Sequence, residues 1–276
     1  MSESQVWLAI IVAAGILLLA AVLTWRGVRN RRRVAQFGQP FPEEWRTLLR
    51  QSLPLYRRLP NDLRLRLEPA VRAFLSDVRF VGCQGLEVTE EMRLVIATQA
   101  CLLCVAHDPR AYAGLGSVLI YPDQFVVNET DEDEAGVVTE GESIVSGQSL
   151  DTSHVILSWQ DVLESGAEDG DAYNVVLHEF AHYLDNSVEG TLSDTGSRRQ
   201  AFEAWHRVLD REYEALCDAI DRGEDTLIDP YAAEHPAELF AVATETFFER
   251  PVELRRRHGA LYAELKSFYG LDPAVW

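Results

Sequence analysis

Two histidines and a glutamate within residues 174–185, NVVLHEFAHYLD, have the types and spacing best suited to chemistry in this chain. His178 and His182 are four apart, so a helix of 3.6 residues per turn stacks them on one face. Two imidazoles so placed can share one Zn²⁺ through ring nitrogens at roughly 2.0–2.1 Å. Glu179 stands beside the first of them, where a carboxylate can take a proton from an attacking water. The HExxH pattern therefore points to metal-assisted hydrolysis. Val175, Val176, Phe180, Ala181 and Leu184 recur around it at helical spacing, and predict a packed helix as its carrier.

A catalytic zinc takes three protein ligands and keeps one position open. Two carboxylates compete for the third place. Glu238 lies in PAELFAVATETFF, where Leu239, Val242, Thr246 and Phe247 face a core. A charge on so apolar a helix needs a partner, because burying it alone is expensive. Glu245, seven residues on, shares its side of the helix; Glu234 reads as solvated. Asp194 is the alternative, in the string GTxxD of residues 190–194, within a Ser/Gly-rich loop. A continuation with Gly and His is absent, since Asp185 and Val188 stand there. Asn174, Asp185 and Glu245 are candidates to orient the ligands from behind.

The formal net charge is −19; residues 1–33 hold +4, which leaves −23 on the remainder. A body this acidic, without a basic stripe, excludes nucleic acid as a partner. Residues 6–25, VWLAIIVAAGILLLAAVLTW, are uncharged and long enough to cross a bilayer core of roughly 30 Å. Trp7 and Trp25 sit near the two ends, and every arginine of this region follows the run. These features predict a single-span anchor in the cell membrane, with the amino terminus outside and the body in the cytoplasm. Cys83, Cys101, Cys104 and Cys217 form no disulfide framework. The Cys101–Cys104 pair lies in an apolar helical run and reads as buried thiols in a reducing compartment.

The elements that must position the site follow from pattern and punctuation. Residues 1–33 are the anchor and its basic flank, 34–42 a linker, and 43–276 one domain. Within it, 43–110 is mainly helical, 111–165 sheet-rich, and 166–276 helical around the metal. Pro54, Pro60 and Pro69 divide the helical sequence 43–80; residues 82–88 read as a turn or short strand. Thr89 caps a helix over 90–105. SVLIYPDQFVVN and HVILSW are strands, and the acidic tract 129–134 a solvated loop. Long helices follow at 198–222 and after Asp229. The class is α+β, mainly helical with a small sheet, preceded by one transmembrane helix. Val155, Ile156, Leu157 and Ser158 are expected to bind extended substrate by strand addition.

NVVLHEFAHYLD and DPYAAEHPAELFAVATETFFERP, with LIYPDQFVV and VILSW, resemble the MtfA (Mlc titration factor A) family of zinc peptidases. The resemblance runs from about Pro42 to the carboxyl terminus. It implies a zincin-like domain with one Zn²⁺ per chain on His178, His182 and Glu238, and Glu179 as general base. The site is then of the gluzincin kind, similar to that of anthrax lethal factor. It further implies that Tyr231, seven residues before Glu238, stabilises the oxyanion. Its substrate is a peptide or protein, cut as an amino- or endopeptidase. The family's namesake sequesters a transcriptional repressor of sugar-uptake genes, which makes repressor binding the alternative function. This chain departs from the family in its anchor and in a longer interval between Gly141 and VILSW.

Overall fold

The computed structural model describes residues 40–106, 111–132, 138–145, 147–151, 153–167, 172–189 and 196–276, with Trp7, Gly15, Ala20 and Thr24. Residues 40–276 begin with three helices, α1 (Glu43–Ser52), α2 (Pro54–Arg58) and α3 (Asn61–Asp77). Pro54 opens α2 and Pro60 caps α3, positions where a missing N–H costs little. Pro69 does not divide the helix: α3 runs through it. Leu63, Leu67, Val71 and Phe74 are buried on either side of the proline. Glu68, just before it, is clamped by Arg46 through two bonds of 2.7 Å. Packing on both flanks carries the helix over the one lost hydrogen bond.

The sequence 43–80 is also not helical to its end. β1 (Arg79–Gly82) follows α3, and residues 83–86 turn back sharply. Gly82 is required there, because a Cβ would come within 1.9 Å of the Leu86 carbonyl oxygen. Thr89 Oγ1 accepts the Met92 N–H at 3.2 Å and starts α4 (Glu90–Cys104), as its cap predicted. Residues 94–104 of α4 are all buried, including the free thiols of Cys101 and Cys104.

Strands β2 (Ser117–Tyr121), β3 (Phe125–Glu132), β4 (Val138–Val145), β5 (Gly147–Asp151) and β6 (His154–Ser158) come next. The main sheet has the order β1-β2-β6-β5. β1, β2 and β6 are parallel, with Arg79 opposite Ser117 and Ser117 opposite His154. β5 is antiparallel to β6, with Gly147 opposite Leu157. β3 and β4 form a separate antiparallel ribbon in which Glu129–Glu132 pairs with Val138–Gly141. Four residues of the acidic tract are thus a strand end, because the hairpin register carries the ladder past Asn128.

The rest is helical: α5 (Trp159–Ala167), α6 (Val175–Glu189), α7 (Gly196–Asp221), a 3₁₀ turn (Pro230–Ala233), α8 (Pro236–Glu249), α9 (Pro251–Arg257), α10 (Gly259–Tyr269) and a last 3₁₀ turn (Pro273–Val275). α6 is held between α4 and α8 and lies against β5 and β6. One hydrophobic core, from Phe41 to Leu271, runs through helices α1–α10 and strands β2 and β6. Among the described residues no helix is long and apolar enough to cross a membrane. The anchor expected over 6–25 lies outside them except for four positions.

Candidate metal centre

α6 begins at Asn174, whose Oδ1 accepts the Leu177 N–H at 3.1 Å. Val175, Val176, Leu177, Phe180 and Ala181 are buried and fix the rotation of the helix. Phe180 packs against Tyr112 and Phe74, with ring centroids 5.3 and 5.9 Å away. The opposite stripe then carries His178 and His182 towards α8. α8 is set by His235, whose ring accepts the Ala237 N–H at 3.2 Å, and by Pro236 in its first turn. Glu238 is in that first turn, its carboxylate against the histidines.

His178 Nε2, His182 Nε2 and Glu238 Oε2 converge. The histidine nitrogens are 3.1 Å apart, and the carboxylate oxygen stands 3.0 Å from one and 3.3 Å from the other. Ligand atoms at roughly 2.0–2.1 Å in a tetrahedron are separated by about 3.4 Å, so the three atoms outline one face of it. This is the one cluster among the described residues that could hold a metal ion. Two imidazoles and a carboxylate are the donor set of a catalytic zinc site, and the residues fit the group. Asp194, the competing ligand, lies outside the described residues.

His178 Nδ1 is 2.8 Å from Glu245 Oε1. A carboxylate oxygen accepts there, so Nδ1 donates to Glu245 and Nε2 is the nitrogen turned to the cluster. Glu245 also accepts the backbone N–H of Asn174. Burial pushes its carboxyl up, against those two bonds. Burial likewise works to lower His178, but the bonds to Glu238 and Glu245 outweigh it and raise the imidazole to about 10. Glu238 shows the complement: burial pushes it up, the two histidines pull harder, and it falls to about 2. A carboxylate against two ring nitrogens favours positive charge between them, which a proton or a metal cation supplies equally. Glu179 is buried at 5% exposure, and burial lifts it to about 7 against the pull of His178 and His182. That makes it a stronger base than a surface carboxylate.

Tyr231 sits in the 3₁₀ turn, its N–H held by Asp229 Oδ1 at 2.9 Å and the turn held by the Tyr213 hydroxyl on Ala233 O at 2.8 Å. Its ring is 6.1 Å from that of His178 and 47% exposed. Asp185 is half-buried one turn beyond His182, near enough to Tyr269 to add to the burial that raises that phenol. Gln99 and Glu249, which the sequence reading missed, both bond the Asn174 side chain. The spacing of Glu249, four after Glu245, was the available signal.

The substrate strand requires a correction. Val155, Leu157 and Ser158 have no exposure and Ile156 has 5%. β6 is paired with β2 on one edge and β5 on the other, so no peptide can add to it. The apolar run that suggested a binding strand is that of a central strand buried on both faces. Among the described residues β5 is the open edge on this side.

An HExxH helix paired with a second helix that supplies a glutamate defines a metallopeptidase site. Residues 25–270 match the family described as glucose-regulated metallo-peptidase M90, and the chain belongs to that family. It is 37% identical to an uncharacterised protein of Synechocystis sp. over 242 residues, 87% of this chain and 88% of that one. Mlc titration factor A of Pectobacterium atrosepticum is 35% identical over 235 residues, covering 84% and 87% of the two chains. Mlc titration factor A of Yersinia pestis is 34% identical over 255 residues, 91% of each.

Proposed function

We propose that this chain is a zinc-dependent peptidase of the gluzincin kind, with His178, His182 and Glu238 as its ligands. The observation that carries this reading is the approach of their three donor atoms to 3.0–3.3 Å. When bound, the metal supplies Lewis acidity and makes water a nucleophile near neutral pH. Glu179 takes the proton of the attacking water and passes it to the leaving amine. The Tyr231 hydroxyl donates to the oxyanion that forms at the former carbonyl. Asn174, Asp185 and Glu245 orient the histidines. An extended peptide pairs with the backbone edge of β5 that is open among the described residues and borders α6.

Replacing Glu179 with Gln removes the base and leaves the ligands. Peptide hydrolysis falls by about 10²–10⁴-fold at unchanged zinc content. A Glu179→Gln chain that cleaves as the wild type does sinks the mechanism.

The run at 6–25 supports a single-span anchor with the body in the cytoplasm. The full chain then pellets with membranes and resists carbonate extraction, while residues 34–276 alone remain in the supernatant. Recovery of the full chain in the soluble fraction refutes the anchor. A second reading rests on the two relatives called Mlc titration factor A. In it the chain captures a transcriptional repressor, and peptide hydrolysis is secondary. Glu179→Gln again discriminates: stable retention of an uncut regulator by both forms favours binding, and cleaved product from the wild type alone favours proteolysis.

A further inference from the structure

Glu238, Glu245 and Glu249 are spaced by seven and four residues on α8, so all three face α6. The contacts run antiparallel. Glu238 meets His182, Glu245 meets His178, and Glu249 meets Asn174 at the start of α6, 3.2 Å from Nδ2 to Oε1. Asn174 is committed at every polar atom. Its Oδ1 accepts from Leu177 and its carbonyl accepts the His178 N–H at 3.0 Å. Its N–H goes to Glu245, and Nδ2 also donates to Gln99 Oε1 at 2.6 Å. Glu249 Oε2 in turn accepts from Arg58 Nη2 at 2.8 Å, and the same nitrogen donates to the Phe248 carbonyl at 3.1 Å. Asn174 and Gln99 are 1% exposed and Glu249 7%.

We propose that Glu249, held by Arg58, and Gln99 are positioning residues of the metal centre. They grip the Asn174 amide from two sides and set the height and rotation of the first turn of α6. That keeps the Asn174 N–H and the His178 ring on one Glu245 carboxylate. The inference rests on the reading that the three ligands hold a metal. Its physical ground is the placement of a third carboxylate, buried, on an apolar helix. Such a group is costly without partners, and here its partner is the residue that starts the metal helix. Removing it leaves Nδ2 with one acceptor, and Asn174 loses the constraint that aligns its bonds to Leu177, His178 and Glu245.

Zinc affinity of the full chain, by competition with a chromophoric chelator, tests this. Glu249→Ala weakens zinc binding about tenfold or more, the scale set by partners that orient ligands. Glu249→Gln, which keeps an oxygen for Asn174, stays within about threefold of wild type. Thr246→Val, a buried change on the same helix whose hydroxyl bonds Val242 O, leaves affinity unchanged whatever it does to stability. In the metal-free chain, hydrogen exchange at the Leu177 and His178 amides quickens about tenfold in Glu249→Ala. Wild-type affinity together with wild-type exchange in that variant overturns the proposal. Should Glu249→Ala not fold, Gln99→Met, which removes the other acceptor, decides by the same two readings. If the wild type binds no zinc, the metal reading fails, and exchange alone still decides the clamp.

Discussion

At Glu238 a single carboxylate faces two ring nitrogens, and its charge holds the cluster together. The two histidines bring it down to about 2, so it is ionised at neutral pH. Glu238→Ala removes one of the three proposed ligands and leaves two imidazoles 3.1 Å apart without its carboxylate. Metal analysis of the purified wild type is expected to give about one zinc per chain, and the variant a small fraction of that. Full zinc in both would move the third ligand elsewhere, with Asp194 next to examine. The histidine pair and the glutamate beside it were legible from spacing alone. The sequence favoured Glu238 over Asp194, because a charge on an apolar helix needs a partner; its approach to the histidines depends on α8 packing across from α6.

Between elements, the site is the seam of α6 and α8. Phe180 fixes that seam from the far side of α6: it has no exposed surface and meets Phe74 and Tyr112 on neighbouring segments. Truncating it leaves a cavity that the surrounding helices fill only in part. Phe180→Ala is expected to destabilise the fold by about 3–5 kcal/mol, read from urea unfolding. A loss below about 1 kcal/mol would mean that α6 is positioned by its polar contacts alone. Caps and periodicity announced α4, α6 and α8. The continuation of α3 through Pro69 was hidden, since it depends on Arg46 holding Glu68 from another helix.

For the molecule as a whole, the carboxyl-terminal turn is pinned to α10 by Asp272, which meets Lys266 Nζ at 2.5 Å and the Tyr262 hydroxyl at 2.5 Å. Those two bonds hold the Asp272 carboxyl below its ordinary range. The unfolded chain, with the higher pKa, binds more protons between the two values, so stability rises with pH there. The contribution is complete above the unfolded value of about 3.9 and is lost as pH falls through the folded one. The urea midpoint of Asp272→Asn should therefore lie below that of wild type at neutral pH, with the gap closing as pH falls below the unfolded value of about 3.9. A gap constant across that range would assign the stabilisation to packing instead.

Local features were legible along the chain: an HExxH helix, an apolar second helix carrying glutamates, a capped central helix, and a small sheet among helices. Each is written in residues close together along the chain, where side-chain periodicity and capping are read directly. Which strand stays open, and what stands behind the histidines, depended on how the elements pack. The run at 154–158 is apolar whether it lies at an edge or in the centre of a sheet, and its pairing with both β2 and β5 settled the matter. Gln99, Asn174, Glu249 and Arg58 meet across three helices and a helix start. Contacts between segments so far apart in the chain leave no periodic trace in the sequence, because they depend on how whole elements pack.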